Sequence, residues 1–283
     1  MSLMSKLLTS TLAVTAILNA GVSEADLTEF FKKFIVKNPA VEVVGTKIIE
    51  EIKLPDTKGW KIYLTKMNIE ISNEVKGKEV KKEISVPQTV FSNGELITPV
   101  LMNRKTGKNY LNEYRPSMPK SFYNEEHLLF GNRDAKHKIV VFSDPQCPFC
   151  MEIVPEIIDA VRRYPKTFAL YYYHMPLLRI HPVSEILTRV MVVAQQKGEN
   201  DKVLKLYSLK IKPNETNVDT VLKAVKKHSG LVVTKEEIDK KEVKDIIAGD
   251  EASAVEMMVT GTPTIYIDGK WDKMRNQYKT FLP

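Results

Sequence analysis

The sequence predicts an α/β domain behind a smaller α+β unit, on three observations. From Lys138 onward the order is strand, helix, strand, several helices, strand, as in layered α/β structures. Before it, one amphipathic helix precedes alternating extended segments and turns, which fits a helix packed on an antiparallel sheet. The only two cysteines of the 283 residues, Cys147 and Cys150, stand three apart where the first α/β strand meets its helix. The expected division is a leader over 1–25, an N-terminal unit over 26–114, a linker over 115–136 and the α/β domain over 137–283.

The chain opens with a leader pattern. Lys6 supplies a positive start, Leu7 to Leu18 are mostly apolar, and Ser23-Glu24-Ala25 fits a small-x-small cleavage site. An amphipathic helix belonging to the fold and an uncleaved anchor are the other readings of this stretch. Leu27, Phe30, Phe31, Phe34 and Ile35 then recur at helical spacing, and Asn38-Pro39 ends the helix. Val41 to Leu54 is rich in Val and Ile. Trp60, Ile62 and Leu64 alternate, as do Met67, Ile69 and Ile71, with turn signals at Asn73 to Gly77 and Asn93-Gly94. The charged run Lys76 to Glu83 reads as a solvated hairpin.

Two prolines in Arg115 to Lys120 suggest a hinge, and Ser121 to Phe130 a short linking helix. Ile139 to Phe142 is a continuous apolar run, as a strand buried on both faces requires. Ile153, Ile157, Ile158 and Val161 place a helix after Cys150. Phe168 to Tyr173 is a second apolar strand, in which Tyr171, Tyr172 and Tyr173 read as strand core and edge. Helical segments are expected over 182–197, 217–229, 234–248 and 250–259, with Met257 and Met258 in a helix core. Thr264 to Ile267 forms a last strand, followed by a hairpin.

Composition excludes several classes. With 43% hydrophobic and 27% charged residues the chain is not wholly disordered, and 12 Gly and 15 Pro exclude collagen- and elastin-like repeats. No uninterrupted apolar run reaches about 18 residues, which excludes a polytopic membrane protein. The net charge of +7 is spread along the chain without a basic helix or an RNA-binding signature, so nucleic acid is not an expected partner.

The cysteine pair asks for a chemical role. A bridge closing so short a loop constrains little unfolded-state entropy. A zinc site needs two further ligands, and His127, His137, His174, His181 and His228 offer no close pair. Redox chemistry needs a thiolate, and a cysteine at a helix N-terminus in C-x-x-C has its pKa lowered by the unpaired amides and the dipole. Cys147 occupies that place and should attack. Cys150, one turn on, can close onto it. Pro148 stands in the first turn, where a missing N–H costs nothing. Gly261-Thr262-Pro263 opens the last strand. A cis Thr262–Pro263 bond would turn the Thr262 backbone outward beside the cysteine pair, where that exposed edge can pair with an extended substrate. His174 and His181 flank a Pro- and Leu-containing loop and read as structural, with one of them possible beside the substrate groove.

The segment Val141-Phe142-Ser143-Asp144-Pro145-Gln146-Cys147-Pro148-Phe149-Cys150 resembles the active-site segment of the periplasmic thiol:disulfide interchange proteins DsbC and DsbG. Pro155 matches the kink proline of thioredoxin-family helices, and Thr262-Pro263 the threonine and cis-proline of that family. The resemblance covers residues 137–270. It extends more weakly to Phe91 to Leu96 and Lys105-Thr106-Gly107, which are similar to part of the dimerisation domain.

This resemblance implies a thioredoxin-like catalytic domain with a helical insertion, preceded by a cystatin-like dimerisation domain. It implies a periplasmic homodimer whose apolar cleft holds misfolded or unfolded exported proteins. Cys147 and Cys150 would be catalytic; Thr262, Pro263, Pro148 and Phe149 would bind substrate. No cofactor beyond the redox-active Cys147–Cys150 disulfide and no metal are expected. Disulfide isomerisation or reduction would need a DsbD-like membrane reductase. A DsbA-like oxidase recharged by a DsbB-like partner, favoured by the helical insertion, and a dimeric chaperone with secondary redox activity are the alternatives.

Three departures stand out. Val141 occupies the position of the buried acid of thioredoxin and DsbA, so a nearby acid or water would have to relay protons. Phe149 replaces the histidine of DsbA, which removes a thiolate-stabilising group. Gln277 to Pro283 stand where a full terminal helix is usual.

Overall fold

The computed structural model describes residues 21–75 and 78–283. The leader pattern over 1–20 and the turn residues Lys76 and Gly77 lie outside the described residues. Two sheets organise the rest, one of order β1-β2-β3-β4 and one of order β5-β7-β6-β8-β9.

Helix α1 (Glu24–Phe30) starts at a capping box, in which Ser23 and Asp26 satisfy each other's backbone N–H, and continues as a π turn over Phe31–Ile35. The expected cleavage site Ser23-Glu24-Ala25 therefore forms the cap and first turn of this helix. Val22 is buried, and its N–H donates to the Tyr63 hydroxyl. A boundary after Ala25 would cut a folded element.

Strands β1 (Val41–Lys53), β2 (Lys61–Val75), β3 (Lys78–Ser92) and β4 (Ile97–Thr98) make an antiparallel meander. The turn signal expected from Asn73 onward comes early, because β2 runs through Val75. Side chains alternate across the pleat. Tyr63, Met67, Ile69 and Val90 meet Leu27 and Phe31 of α1. Ile62, Leu64 and Phe91 face the other way, where Leu54, Tyr110 and Met258 cover them.

The expected hinge at 115–120 is tied down on both sides. The Ser117 N–H donates to Glu50, the Met118 N–H to the Gly269 carbonyl, and Arg115 to the Thr260 hydroxyl while lying over Trp271. The linking helix expected over Ser121 to Phe130 is two 3-10 turns, Lys120–Phe122 and Glu125–His127, followed by β5 (Leu128–Gly131). β5 pairs with β7, so the second sheet begins inside the stretch read as linker 115–136, ahead of residue 137. Gly131 sits at φ +87, and a Cβ there would lie 2.2 Å from the Phe168 carbonyl oxygen. Only glycine fits.

The second sheet has β6 (His137–Ser143) at its centre, parallel to β7 (Phe168–His174) and antiparallel to β8 (Thr264–Ile267), with β9 (Lys270–Trp271) at the edge. Both faces are covered, as the apolar runs require. Ile139, Val141, Leu170, Tyr172 and Ile265 point to one layer, with α2 (Pro148–Arg163) and most of the helical insertion. Val140, Phe142, Tyr171, Tyr173 and Tyr266 point to the other, with Met118, Phe122 and Met257. The insertion comprises α3 (Ser184–Gln196), α4 (Asn200–Leu206), α5 (Val218–Ser229), α6 (Lys235–Ile238) and α7 (Lys241–Glu256). The sequence reading misses α4. It also breaks α7 at Gly249, which the helix tolerates in its interior. Of the expected methionine pair, Met257 enters the second layer, while Met258, at φ +55, plugs into the N-terminal sheet. The C-terminal stretch is a 3-10 turn, Gln277–Phe281, with Phe281 stacked on His137.

Candidate active site

The site is built where β6 hands over to α2. The buried carboxylate of Asp144 organises the turn. Its Oδ1 accepts the Gln146 N–H at 2.8 Å and the Ser184 hydroxyl at 2.6 Å. Its Oδ2 accepts the Leu177 N–H at 2.8 Å and lies 3.0 Å from His181 Nδ1. The Asp144 carbonyl accepts the Cys147 N–H at 3.1 Å. These bonds tie the turn to the loop before α3 and deliver Cys147 to the N-cap of α2, with Pro148 behind it.

Thr262 closes the site from above. The Thr262–Pro263 bond is cis, and the Cys147 thiol, when protonated, donates to the Thr262 carbonyl at 3.3 Å. The buried Thr262 hydroxyl faces the Cys147 sulfur and has no nearer hydrogen-bond partner among the described residues. Its loop is held by the Thr264 hydroxyl donating to the Gly261 carbonyl, by Arg115 on Thr260, and by Met258 in the N-terminal sheet.

The two sulfurs are unbridged thiols in opposite electrostatic states. Cys147 is pulled down to about 5, first by the hydrogen bond from the Cys150 thiol, against the opposing effect of burial. The Thr262 hydroxyl and the amides of Cys150 and Phe149 add to the lowering. Cys150 is pushed far up, first by burial and then by donating its proton to Cys147; the Ser143 hydroxyl and the Asp144 amide oppose that rise. At neutral pH the arrangement holds one thiolate ready to attack and one thiol as its hydrogen-bond donor.

The structure brings Cys147, Cys150, Pro148, Thr262 and Pro263 together. Phe149 stands at the rim, 59% exposed, with the Arg275 guanidinium 5.6 Å from its ring centre. His181 is buried and braces the turn through Asp144, and His174 is buried with its backbone N–H donating to Asp250. Sequence reasoning missed Asp144 as the organiser, Arg275 at the rim, and the hydroxyls of Ser143, Tyr172 and Tyr207 beneath the pair. An Asp-Pro step at a strand end is an Asx-turn signal that marks Asp144. No local signal marks Tyr207, which comes from the insertion.

A helix-capped Cys-x-x-Cys beside a cis-proline loop, on a β-α-β core, defines the thioredoxin-like thiol:disulfide oxidoreductase class. The sequence model of the family described as thioredoxin matches residues 123–282, and the chain belongs to that family.

The chain is similar to several solved structures. A thioredoxin-like oxidoreductase from Silicibacter pomeroyi is 23% identical, covers 56% of this chain and 95% of its own, and has a TM-score of 0.43. A periplasmic thioredoxin-like protein from Salmonella enterica serovar Typhimurium is 17% identical, covers 58% and 95%, and has a TM-score of 0.47. BdbD from Bacillus subtilis is 19% identical, covers 53% and 85%, and has a TM-score of 0.44. Among curated proteins, the Na(+)/H(+) antiporter NhaA 3 of Salinispora tropica is 25% identical over 144 residues, which is 50% of this chain and 21% of the antiporter. The chain thus spans about a fifth of that relative's length. Among the described residues, no helix is long and apolar enough to cross a membrane.

Proposed function

We propose that this protein is an exported thiol:disulfide interchange enzyme that rearranges or reduces wrong disulfides in other exported proteins, in the manner of DsbC and DsbG. The observation that carries the reading is the Cys147 thiolate at the N-cap of α2, hydrogen-bonded by Cys150 and lying against Thr262. Cys147 attacks a substrate disulfide and displaces one substrate sulfur as a thiolate. The mixed disulfide then resolves by a substrate thiol, which isomerises, or by Cys150, which reduces the substrate and leaves a Cys147–Cys150 disulfide. Continued turnover requires a reductant, for which a DsbD-like membrane partner is proposed. Thr262, Pro263, Pro148 and Phe149 form the substrate-binding rim. The separate helix-on-sheet unit supports the isomerase reading and is proposed as the dimerisation domain of a homodimer in the periplasm. Export would require a leader ending before Val22.

A second reading, a DsbA-like oxidase recharged by a DsbB-like partner, is favoured by the helical insertion α3 to α7 between β7 and β8. Two assays separate the readings. The reduced protein should rearrange a scrambled, disulfide-bonded substrate, and Cys147→Ser should abolish this. Faster disulfide delivery by the oxidised protein to a reduced substrate, without rearrangement, would replace isomerase by oxidase. A reduction potential near the roughly −270 mV of thioredoxin would exclude the oxidase. Sedimentation at the monomer mass would remove the homodimer.

A further inference from the structure

Resolution of a mixed disulfide puts negative charge on Cys150, and Cys150 is fully buried. A thiolate there is costly unless donors surround it. The Asp144 carboxylate is already occupied by Gln146, Leu177, His181 and Ser184. The groups that face the Cys150 sulfur are Cys147, the Asp144 amide and the Ser143 hydroxyl.

The Ser143 hydroxyl does not stand alone. Its oxygen is 2.7 Å from the Tyr207 hydroxyl, which is 2.6 Å from the Tyr172 hydroxyl. All three residues are at most 2% exposed and come from three different elements: the end of β6, the end of α4 and the middle of β7. Among the described residues, these hydroxyls have no hydrogen-bond acceptor outside the trio, and the Cys150 sulfur lies beside Ser143. Once Cys150 ionises it is the strongest acceptor in reach. The three O–H dipoles then align toward it, each polarising the next.

We propose that Ser143, Tyr207 and Tyr172 form a buried hydroxyl chain that stabilises Cys150 as it resolves the mixed disulfide. Ser143 is the member of the chain that faces the reacting sulfur, and Tyr207 and Tyr172 are positioning residues behind it. This rests on the oxidoreductase reading above. In the step itself the Cys150 S–H bond and the Cys147–substrate S–S bond break, and the Cys147–Cys150 S–S bond forms. The cysteine pair is oxidised by two electrons, the substrate disulfide is reduced, and the Cys150 proton ends on the departing substrate thiolate. The hydroxyl protons do not leave their oxygens.

The test uses the reduced full chain and the aromatic disulfide 5,5′-dithiobis(2-nitrobenzoate). Attack by Cys147 releases one coloured thiolate, and resolution by Cys150 releases a second, so a stopped-flow trace separates the steps. Ser143→Ala and Tyr207→Phe should each slow the second release about tenfold at neutral pH, and Tyr172→Phe about threefold, with the first release unchanged. Ser143→Thr, which keeps the hydroxyl, should restore the second release. A purely structural role would slow both releases together. Should Ser143→Ala disturb the turn, the first release will report it, and Tyr207→Phe, which removes one oxygen, carries the test alone. A second release within about twofold of the unmodified protein in Tyr207→Phe overturns the chain. No first release from the unmodified protein defeats the oxidoreductase reading itself, and the chain with it.

Discussion

Around Cys147 the protein offers donors: a neighbouring thiol, a threonine hydroxyl and the amides of a helix's first turn. Around Cys150, one turn deeper, it offers burial first, opposed by the Ser143 hydroxyl and the Asp144 amide. The same side chain is thereby made acidic at the mouth of the site and held protonated on its floor. The difference teaches that the helix N-terminus is only part of the device. The leading cause of acidity at Cys147 is the Cys150 proton, so each sulfur's state depends on the other.

The sharpest way to break this comparison is to remove one sulfur at a time. Cys147→Ser should abolish disulfide exchange, a loss of at least about a thousandfold, because no other described nucleophile lies at the mouth. Cys150→Ser should keep the first attack and accumulate mixed disulfides that gels and mass spectrometry can count. Equal losses of the first attack in both variants would erase the distinction between mouth and floor.

Acidity comes next. Alkylation of Cys147 by iodoacetamide should show a midpoint near pH 5, against about 8.5 for a free thiol. Cys150→Ser should move that midpoint upward, since the thiol donor is replaced. The folded-state value lies below the unfolded one. The resulting stability of the reduced protein is therefore fully present above about pH 8.5 and is lost as pH falls through about 5. Urea midpoints of the reduced protein at several pH values should follow this course, and Cys147→Ser should flatten it.

Asp144 joins mouth and floor. Its carboxylate accepts three hydrogen bonds and pairs with His181, all with no exposure to solvent. Asp144→Ala leaves those donors unmatched and should cost about 3 kcal/mol in denaturant unfolding. Unchanged stability would mean that water takes over the carboxylate's bonds.

What was legible in the chain follows the physics of each signal. The α/β core could be read because β6 and β7 are apolar on both faces, and the cysteine pair because its spacing fits one helical turn. The N-terminal strands held a subtler message. Trp60, Ile62 and Leu64 alternate in one phase, and Met67, Ile69 and Ile71 in the opposite one. The structure assigns the first set to the face covered by Tyr110 and Met258 and the second to the face under α1. Met258 itself could not be read, because periodicity does not say which core a loop residue enters. Strand β5 was hidden for a related reason: four residues beside two polar turns carry too little pattern. Val141, at the acid position of thioredoxin, pointed to an unknown substitute. The hydroxyls of Ser143, Tyr207 and Tyr172 beneath Cys150 come from segments far apart in the chain, where no local pattern links them.

Phe149 tests the mouth most gently. Its ring is mostly exposed and touches the Arg275 guanidinium on one face, so it adds little to the fold. It also stands between the two cysteines in sequence and beside Arg275 in space, which allows it two roles. If it serves as an apolar contact for bound polypeptide, removing it forfeits roughly 1 kcal/mol of buried ring area on binding. Phe149→Ala should then raise KM for a disulfide-bonded peptide about threefold to tenfold, leave kcat unchanged, and leave alkylation of Cys147 by iodoacetamide at its original rate and midpoint. If the ring instead holds Arg275 where its charge favours the thiolate, the alkylation midpoint should rise and KM should stay. Arg275→Gln separates the two, since it removes the charge and leaves the ring. A midpoint that moves in both variants would make the rim part of the acidity of Cys147, and the boundary between substrate contact and sulfur chemistry would then run deeper than Phe149.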